Sequence, residues 1–240
     1  MHSILAAVCV ALGLLALPAL AEPYEEIEVK DGGRVVGRVT FAGTPPAPEM
    51  LVVSTDQEAC GTEAPSRSLL VSANHGVQNA VLSLRDVEKG KPWEEREYTL
   101  AQTDCRFEPH VLLFRDGADL NIFNHDRIAH GVRSYGKDSV FNVGQPKFVV
   151  QLLVEDFTKK LSERKVIRIG CDLHPWMKAW VVPQPHPYFV LTDEDGRFEL
   201  TDVPPGEYQL DLWHETLGEQ ARRVVVKPGE ETAVTFALGN

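Results

Sequence analysis

The stretch Cys171-Asp-Leu-His174-Pro-Trp-Met177 places a thiol, an imidazole and a thioether in one short run. It directly follows Val166-Ile-Arg-Ile169-Gly170, whose alternation of apolar and polar residues reads as a β-strand ending at the glycine. One tight loop after that strand can aim three soft donors at a single point. A second imidazole, His130, stands upstream at the end of another strand-like region. One thiolate and two imidazoles in a plane, with a thioether as a long axial ligand, make the donor set of a mononuclear copper centre that passes electrons.

His130 closes the segment Asn124-His-Asp-Arg-Ile-Ala-His130. Before it, the apolar runs Val111-Leu-Leu-Phe114 and Leu120-Asn-Ile-Phe123 flank Asp116-Gly117. That pattern predicts a hairpin delivering the imidazole on its outgoing loop. Both halves of the site then hang from neighbouring strand ends. His110 and His125 read as surface or capping residues, with His125 in reserve as the upstream ligand. His186, His214 and Glu215 make a second metal site only if the strands carrying them meet.

On these residues, positions 105 to 183 resemble the cupredoxins, and the short Cys171-x2-His174-x2-Met177 loop with Pro175 is most similar to the amicyanin and plastocyanin type. The resemblance implies a Greek-key β-sandwich and one type 1 copper held by His130, Cys171, His174 and Met177. It further implies that His174, with a ring edge near solvent, is the electron port and that Cys171 couples the metal to its strand. Pro175 and Trp176 become an apolar contact patch for a redox partner, although Trp176 suits core packing equally well. A c-type cytochrome or a periplasmic dehydrogenase is the partner the resemblance implies. One departure stands out: cupredoxins usually carry Asn directly after the upstream ligand His, and this chain has Gly131.

The chain has four cysteines, and Cys9 lies in an N-terminal apolar segment. If Cys171 ligates copper, Cys60 and Cys105 are left to pair; pairing Cys171 with either of them would exclude the site. Export is expected from the apolar run Ile4 to Leu17 followed by Ala19-Leu20-Ala21 and then Glu22, a signal peptide over residues 1–21 with a small-x-small cleavage pattern. Its n-region carries only His2 in place of Lys or Arg, and retention as an N-terminal anchor is the alternative. The expected location is periplasmic or secreted, with no membrane association after cleavage.

Hydrophobic residues make up 43% of the 240, enough for two cores, while 16 Pro and 18 Gly fall mostly between short apolar runs and favour strands joined by turns. The net charge of −11 excludes nucleic acid as a natural partner and favours a basic protein. No Gly-x-Ser-x-Gly element is present and the donor set needs no general base, so the chain does not read as an enzyme.

Towards the C-terminus, Thr192-Asp-Glu-Asp-Gly-Arg-Phe198 reads as the turn of a hairpin, followed by Val203-Pro-Pro-Gly-Glu-Tyr208 and further strands ending at Leu238. This segment is similar to the carboxypeptidase regulatory-like, transthyretin-type β-sandwich. That family opens with strands similar to Val36-Gly-Arg-Val39 and Ala80-Val-Leu-Ser-Leu84, which here precede the cupredoxin-like residues. The fold class expected is therefore all-β, with two sandwiches. The segments are 22–97 (N-terminal strands of the regulatory-like sandwich), 98–183 (cupredoxin-like) and 184–240 (the rest of the regulatory-like sandwich). Insertion of one sandwich into the other is preferred to tandem order, because two or three strands alone rarely form a stable core. Three functions fit: electron carriage, copper storage or delivery, and an envelope interaction module whose copper is structural.

Overall fold

Runs such as Tyr98 to Thr103 and Leu210 to His214 bury alternate residues, the pattern of a strand with one face on a core. The computed structural model describes residues 24–135, 141–160 and 166–239, and the segment 1–21 read as a signal peptide lies outside the described residues. Among the described residues the regular structure is strand except for the helix Gln57–Cys60 and a 3-10 turn at Phe157–Lys160. The protein is all-β and forms two sandwiches.

The outer sandwich is assembled from both ends of the chain. One sheet has the order Phe189–Leu191, Val81–Leu84, Gly206–His214, Gly218–Val226; the facing sheet has Arg197–Val203, Gly33–Phe41, Glu231–Leu238. Gly33–Phe41 is the central strand of its sheet, parallel to Glu231–Leu238 and antiparallel to Arg197–Val203. Val35, Val39, Leu82, Leu84, Leu210, Leu212 and Phe236 fill the space between the sheets.

The intervening chain forms the inner sandwich. Its first sheet runs Gln151–Val154, Leu120–Asn124, Tyr98–Thr103, Arg106–Glu108, and its second runs Asn142–Gln145, His130–Tyr135, Ile167–Gly170, Lys178–Gln184, Val111–Arg115. The connections after Arg106–Glu108, Val111–Arg115, Leu120–Asn124, Asn142–Gln145 and Gln151–Val154 cross from one sheet to the other, the pattern of a Greek-key sandwich. Leu100, Phe107, Phe114, Leu120, Ile122, Phe157 and Ile169 are buried between them. Where the two sandwiches meet, Val81, Val111 and Val182 are buried with Trp180 and Trp213 packed alongside.

Both expected hairpins turn out to be arches. Val111–Arg115 pairs with Lys178–Gln184, whereas Leu120–Asn124 pairs with Tyr98–Thr103 in the opposite sheet. Phe189–Leu191 and Arg197–Val203 likewise part into different sheets after Gly196. In each case an Asp-Gly turn reverses the chain, with Gly117 at φ 81° and Gly196 at φ 74°. The flanking strands then bury their apolar faces against each other across the core instead of sharing a ladder. A turn signature reports the reversal and is blind to that choice.

The sequence places residues 22–97 with the outer strands, but the structure lays part of that segment on the inner sandwich. The ladder Met50–Val52 with Glu63–Pro65 flanks the helix Gln57–Cys60, and the residues just before that helix reach the 171–177 loop, where Thr55 donates to the Leu173 carbonyl at 3.2 Å. Arg67 donates to the Phe107 carbonyl and to Glu108. The chain returns to the outer sandwich at Val77, through bridges such as Thr40 with Gly76.

Candidate metal centre

His130 opens the strand His130–Tyr135, which pairs antiparallel with Ile167–Gly170 through Arg133 opposite Gly170 and Ser134 opposite Ile169. Cys171 is the next residue after that second strand. The start of one strand and the end of its neighbour therefore meet at one edge of the sheet. The loop from Cys171 closes on itself, with the Met177 N–H donating to the His174 carbonyl at 2.9 Å and the Cys171 N–H to the Met177 carbonyl at 3.4 Å. His174 is thus held over the same edge.

The result is a buried group of donors. Nδ1 of His130 lies 2.9 Å from Nδ1 of His174, and Cys171 Sγ lies 3.7 Å from the latter. All three donor atoms fall within 4.8 Å of one another, and among the described residues this is the one cluster of its kind. Cys171 is 2% exposed, His130 1% and His174 0%. Met177 is buried in the same apolar cluster as Cys171. The thiol is free, because Cys60 and Cys105 are joined by a disulfide.

Carboxylates fix which ring nitrogen faces the cluster. His130 Nε2 lies 2.8 Å from Asp126 Oδ2, and His174 Nε2 lies 2.9 Å from Asp56 Oδ2. A carboxylate only accepts, so each Nε2 carries a proton and donates it, which makes Nδ1 the atom that offers the lone pair when the ring is neutral. Burial pushes the His130 pKa below its ordinary value, against the pull of Asp126. The ring is neutral at pH 7, as a ligand must be. Two lone pairs and a sulfur, aimed at one another away from water, are a donor set without an acceptor. The residues fit a copper ion: one soft sulfur, two imidazoles and a buried thioether in the same cluster.

Gly131, where Asn is usual in cupredoxins, contributes through its backbone: its N–H donates to Cys171 Sγ at 3.2 Å. Loop order comes instead from Asn124, whose side chain donates to the Ile128 carbonyl at 3.0 Å and accepts from the Asp126 N–H at 3.0 Å. Asn124, Asp126 and Asp56 are functional candidates that the sequence did not single out. Asp126 stands four residues before His130, a spacing open to inspection. Asp56 is 118 residues from His174, and nothing local marks it.

The other expectations resolve individually. His174 has no exposed ring edge, contrary to its reading as a solvent-facing port, because Asp56 covers its outer nitrogen. Pro175 is exposed, while Trp176 is half-buried, packs with its ring tilted 50° at 5.0 Å from the His174 ring and donates to the Cys105 carbonyl. Both line a cleft of about 450 Å³ with Cys60, Cys105 and Arg67. His125 is exposed and faces Thr103, outside the cluster. His110 is buried and pairs with Glu215. His186, His214 and Glu215 do not converge: His214 Nδ1 accepts from the Thr216 and Leu217 N–H groups, His186 Nδ1 from the Tyr188 N–H, and Glu215 is taken by His110 and Lys178.

No curated protein matches the sequence. Among solved structures the chain is similar to a copper-containing nitrite reductase from Thermus scotoductus SA-01, at 18% identity over 40% of this chain and 24% of that one, with a TM-score of 0.31. It is also similar to a purple cupredoxin from Nitrosopumilus maritimus, at 16% identity over 37% of this chain and 100% of that one, TM-score 0.31. A reduced amicyanin variant gives 17% identity over 43% and 98%, TM-score 0.30. Residues 181–239, which run from the end of the Lys178–Gln184 strand through the C-terminal strands of the outer sandwich, match the family model of the carboxypeptidase regulatory-like domain.

Proposed function

We propose that the protein is a type 1 copper protein that carries single electrons between partners outside the cytoplasm. The observation that carries this reading is the buried convergence of His130 Nδ1, His174 Nδ1 and Cys171 Sγ, with both outer ring nitrogens already engaged. Copper bound there would supply a one-electron couple. The protein's part is to hold the donors still: His130 and Cys171 sit on hydrogen-bonded neighbouring strands, and the 171–177 loop is closed by its own backbone bonds. A site that moves little between oxidation states exchanges electrons with little reorganisation. Met177, buried in the same cluster as Cys171, is the residue that would add a thioether to the donor set.

The Cys60–Cys105 disulfide suits an oxidising compartment, in keeping with a periplasmic location. The net charge of −11 favours a partner with a basic face, such as a c-type cytochrome or a periplasmic dehydrogenase. No catalytic reaction is assigned. One observation favours copper storage or delivery instead: His174 is wholly covered, so no imidazole edge is offered to a redox partner.

The test is the visible spectrum of the chain expressed from Glu22 in a periplasm and supplied with copper(II). An intense thiolate-to-copper band that disappears in Cys171→Ser supports the type 1 site. A colourless protein with one free thiol and no bound copper would sink it. Rapid electron exchange with a small redox mediator supports carriage, whereas slow exchange with ready copper transfer to a chelator points to delivery.

A further inference from the structure

The two carboxylates that hold the ring nitrogens are themselves joined through one covalent staple. Asp56 immediately precedes the helix Gln57–Cys60, and its carbonyl accepts from the Ala59 and Cys60 N–H groups, both at 2.9 Å. Cys60 is bonded to Cys105. On the far side of the disulfide, the N–H groups of Asp104 and Cys105 donate to the two oxygens of Asp126, at 2.8 and 3.0 Å. Asp56, Asp104 and Cys105 all take positive φ, at 48°, 51° and 56°. Such backbone is sparsely populated by non-glycine residues and persists where the surroundings over-determine it. Among the described residues neither Asp56 nor Asp126 has a Lys or Arg partner, so each directs its charge at an imidazole.

We propose that Asp56 and Asp126, braced through the Cys60–Cys105 disulfide, are positioning residues that set the tautomer, aim and donor strength of both imidazole ligands. The consequences for copper rest on the functional reading above; the positioning itself does not. Asp56 is the more informative of the pair. Its side chain is 52% exposed while His174 beneath it is 0% exposed, so the ligand is oriented from the surface by a separate stretch of chain. An anionic acceptor on each Nε2–H makes each Nδ1 a better donor, and this favours copper(II) over copper(I).

The experiment uses the full mature chain as wild type, Asp56→Gly, Asp56→Asn, and the pair Cys60→Ser with Cys105→Ser. Glycine at position 56 accepts the positive φ without strain, which keeps that variant folded. In metal-free protein, nitrogen-15 NMR of the histidine rings should show Nε2–H on His130 and His174 in the wild type. In Asp56→Gly, His174 should become a mixture of tautomers with His130 unchanged, and loss of the disulfide should disturb both. With copper, Asp56→Asn should lower copper(II) affinity about tenfold and leave copper(I) affinity unchanged. That tenfold change equals a rise of about 59 mV in the one-electron potential. Unaltered tautomers in Asp56→Gly, or an unaltered ratio of the two affinities in Asp56→Asn, would overturn the proposal. A wild type that binds no copper would instead overturn the functional reading, and the tautomer measurement would still decide the positioning role.

Discussion

Glu215 of the outer sandwich pairs with His110 of the inner one, and both side chains are 4% exposed. The second Glu215 oxygen accepts from Lys178 at 2.6 Å, and Lys178 also donates to Ser68. One carboxylate therefore ties together the strand that follows the 171–177 loop and the residue before Val111–Arg115, and through Lys178 it reaches Ser68. Burial by itself would raise the Glu215 pKa, but the bonds from His110 and Lys178 hold it down to about 2. Removing one member of a buried ion cluster leaves the others desolvated and uncompensated.

Glu215→Ala should cost about 3 kcal/mol. The Trp180 and Trp213 rings, 5.3 Å apart at the same boundary, report on it. Urea titrations followed by tryptophan fluorescence should show a lower midpoint, and an unchanged midpoint would remove Glu215 as a link between the sandwiches.

Acid should weaken the same region before it affects the rest. Burial lowers the His214 pKa from 6.5 to about 4, outweighing the neighbouring Glu215 and the bond to the Gln78 backbone; His110 adds to the lowering. The unfolded chain then binds more protons than the folded one between those values, so stability is full above pH 6.5 and falls as the pH drops towards 4. The loss reaches roughly 3 kcal/mol from this group. Glu215, with a depressed pKa, adds a further loss as the pH falls from 4.5 towards 2. Urea midpoints at pH 7, 5.5 and 4 measure the first effect, and His214→Gln should flatten it.

Tyr188→Phe isolates a buried hydroxyl. Tyr188 is 0% exposed, donates to the Asp202 carbonyl at 2.9 Å and accepts from the Lys91 N–H at 2.7 Å. The phenylalanine leaves both backbone groups without that partner and should cost about 1–3 kcal/mol in the outer sandwich. Thermal unfolding checks this, and a change below about 0.5 kcal/mol would mean that water replaces the hydroxyl.

Gly131→Asn should be tolerated. A Cβ there meets nothing nearer than the Val143 carbonyl at 3.9 Å, so the position is roomy and glycine is not sterically required. Stability should change by no more than about 0.5 kcal/mol, and the Gly131 N–H should keep its bond to Cys171. Loss of the thiolate-to-copper band in a folded Gly131→Asn protein would show that the site depends on glycine.

Met177→Leu separates packing from ligation. Met177 is 1% exposed, and leucine conserves its volume, so unfolding should shift by less than about 1.5 kcal/mol. On the copper reading the charge-transfer band persists while the potential changes, because a thioether donor would be lost. An identical potential would exclude Met177 as a ligand.

Much of the centre was legible because it is local. Cys171, His174 and Met177 share one loop, and a strand ending in Gly170 must present whatever follows it at the sheet edge. The composition of short apolar runs between Pro and Gly pointed to strands, and 20 strands are what the described residues form. Tertiary structure alone decided the rest. Asp-Gly turns at residues 116–117 and 195–196 reverse the chain equally well in a hairpin or an arch, and only the packing of two sheets selects the arch. His174 looked solvent-facing from its place in a loop; burial depends on what lies over it, and the covering carboxylate, Asp56, arrives from 118 residues away. His110 and Glu215 carry no signal of their pairing for the same reason. The sequence by itself singled out His130, Cys171 and His174, which the structure brings together, and the strands that bear them, through periodicity and short spacing. The carboxylates that orient those donors and the contacts that join the sandwiches came from long-range packing, which local residue patterns do not encode.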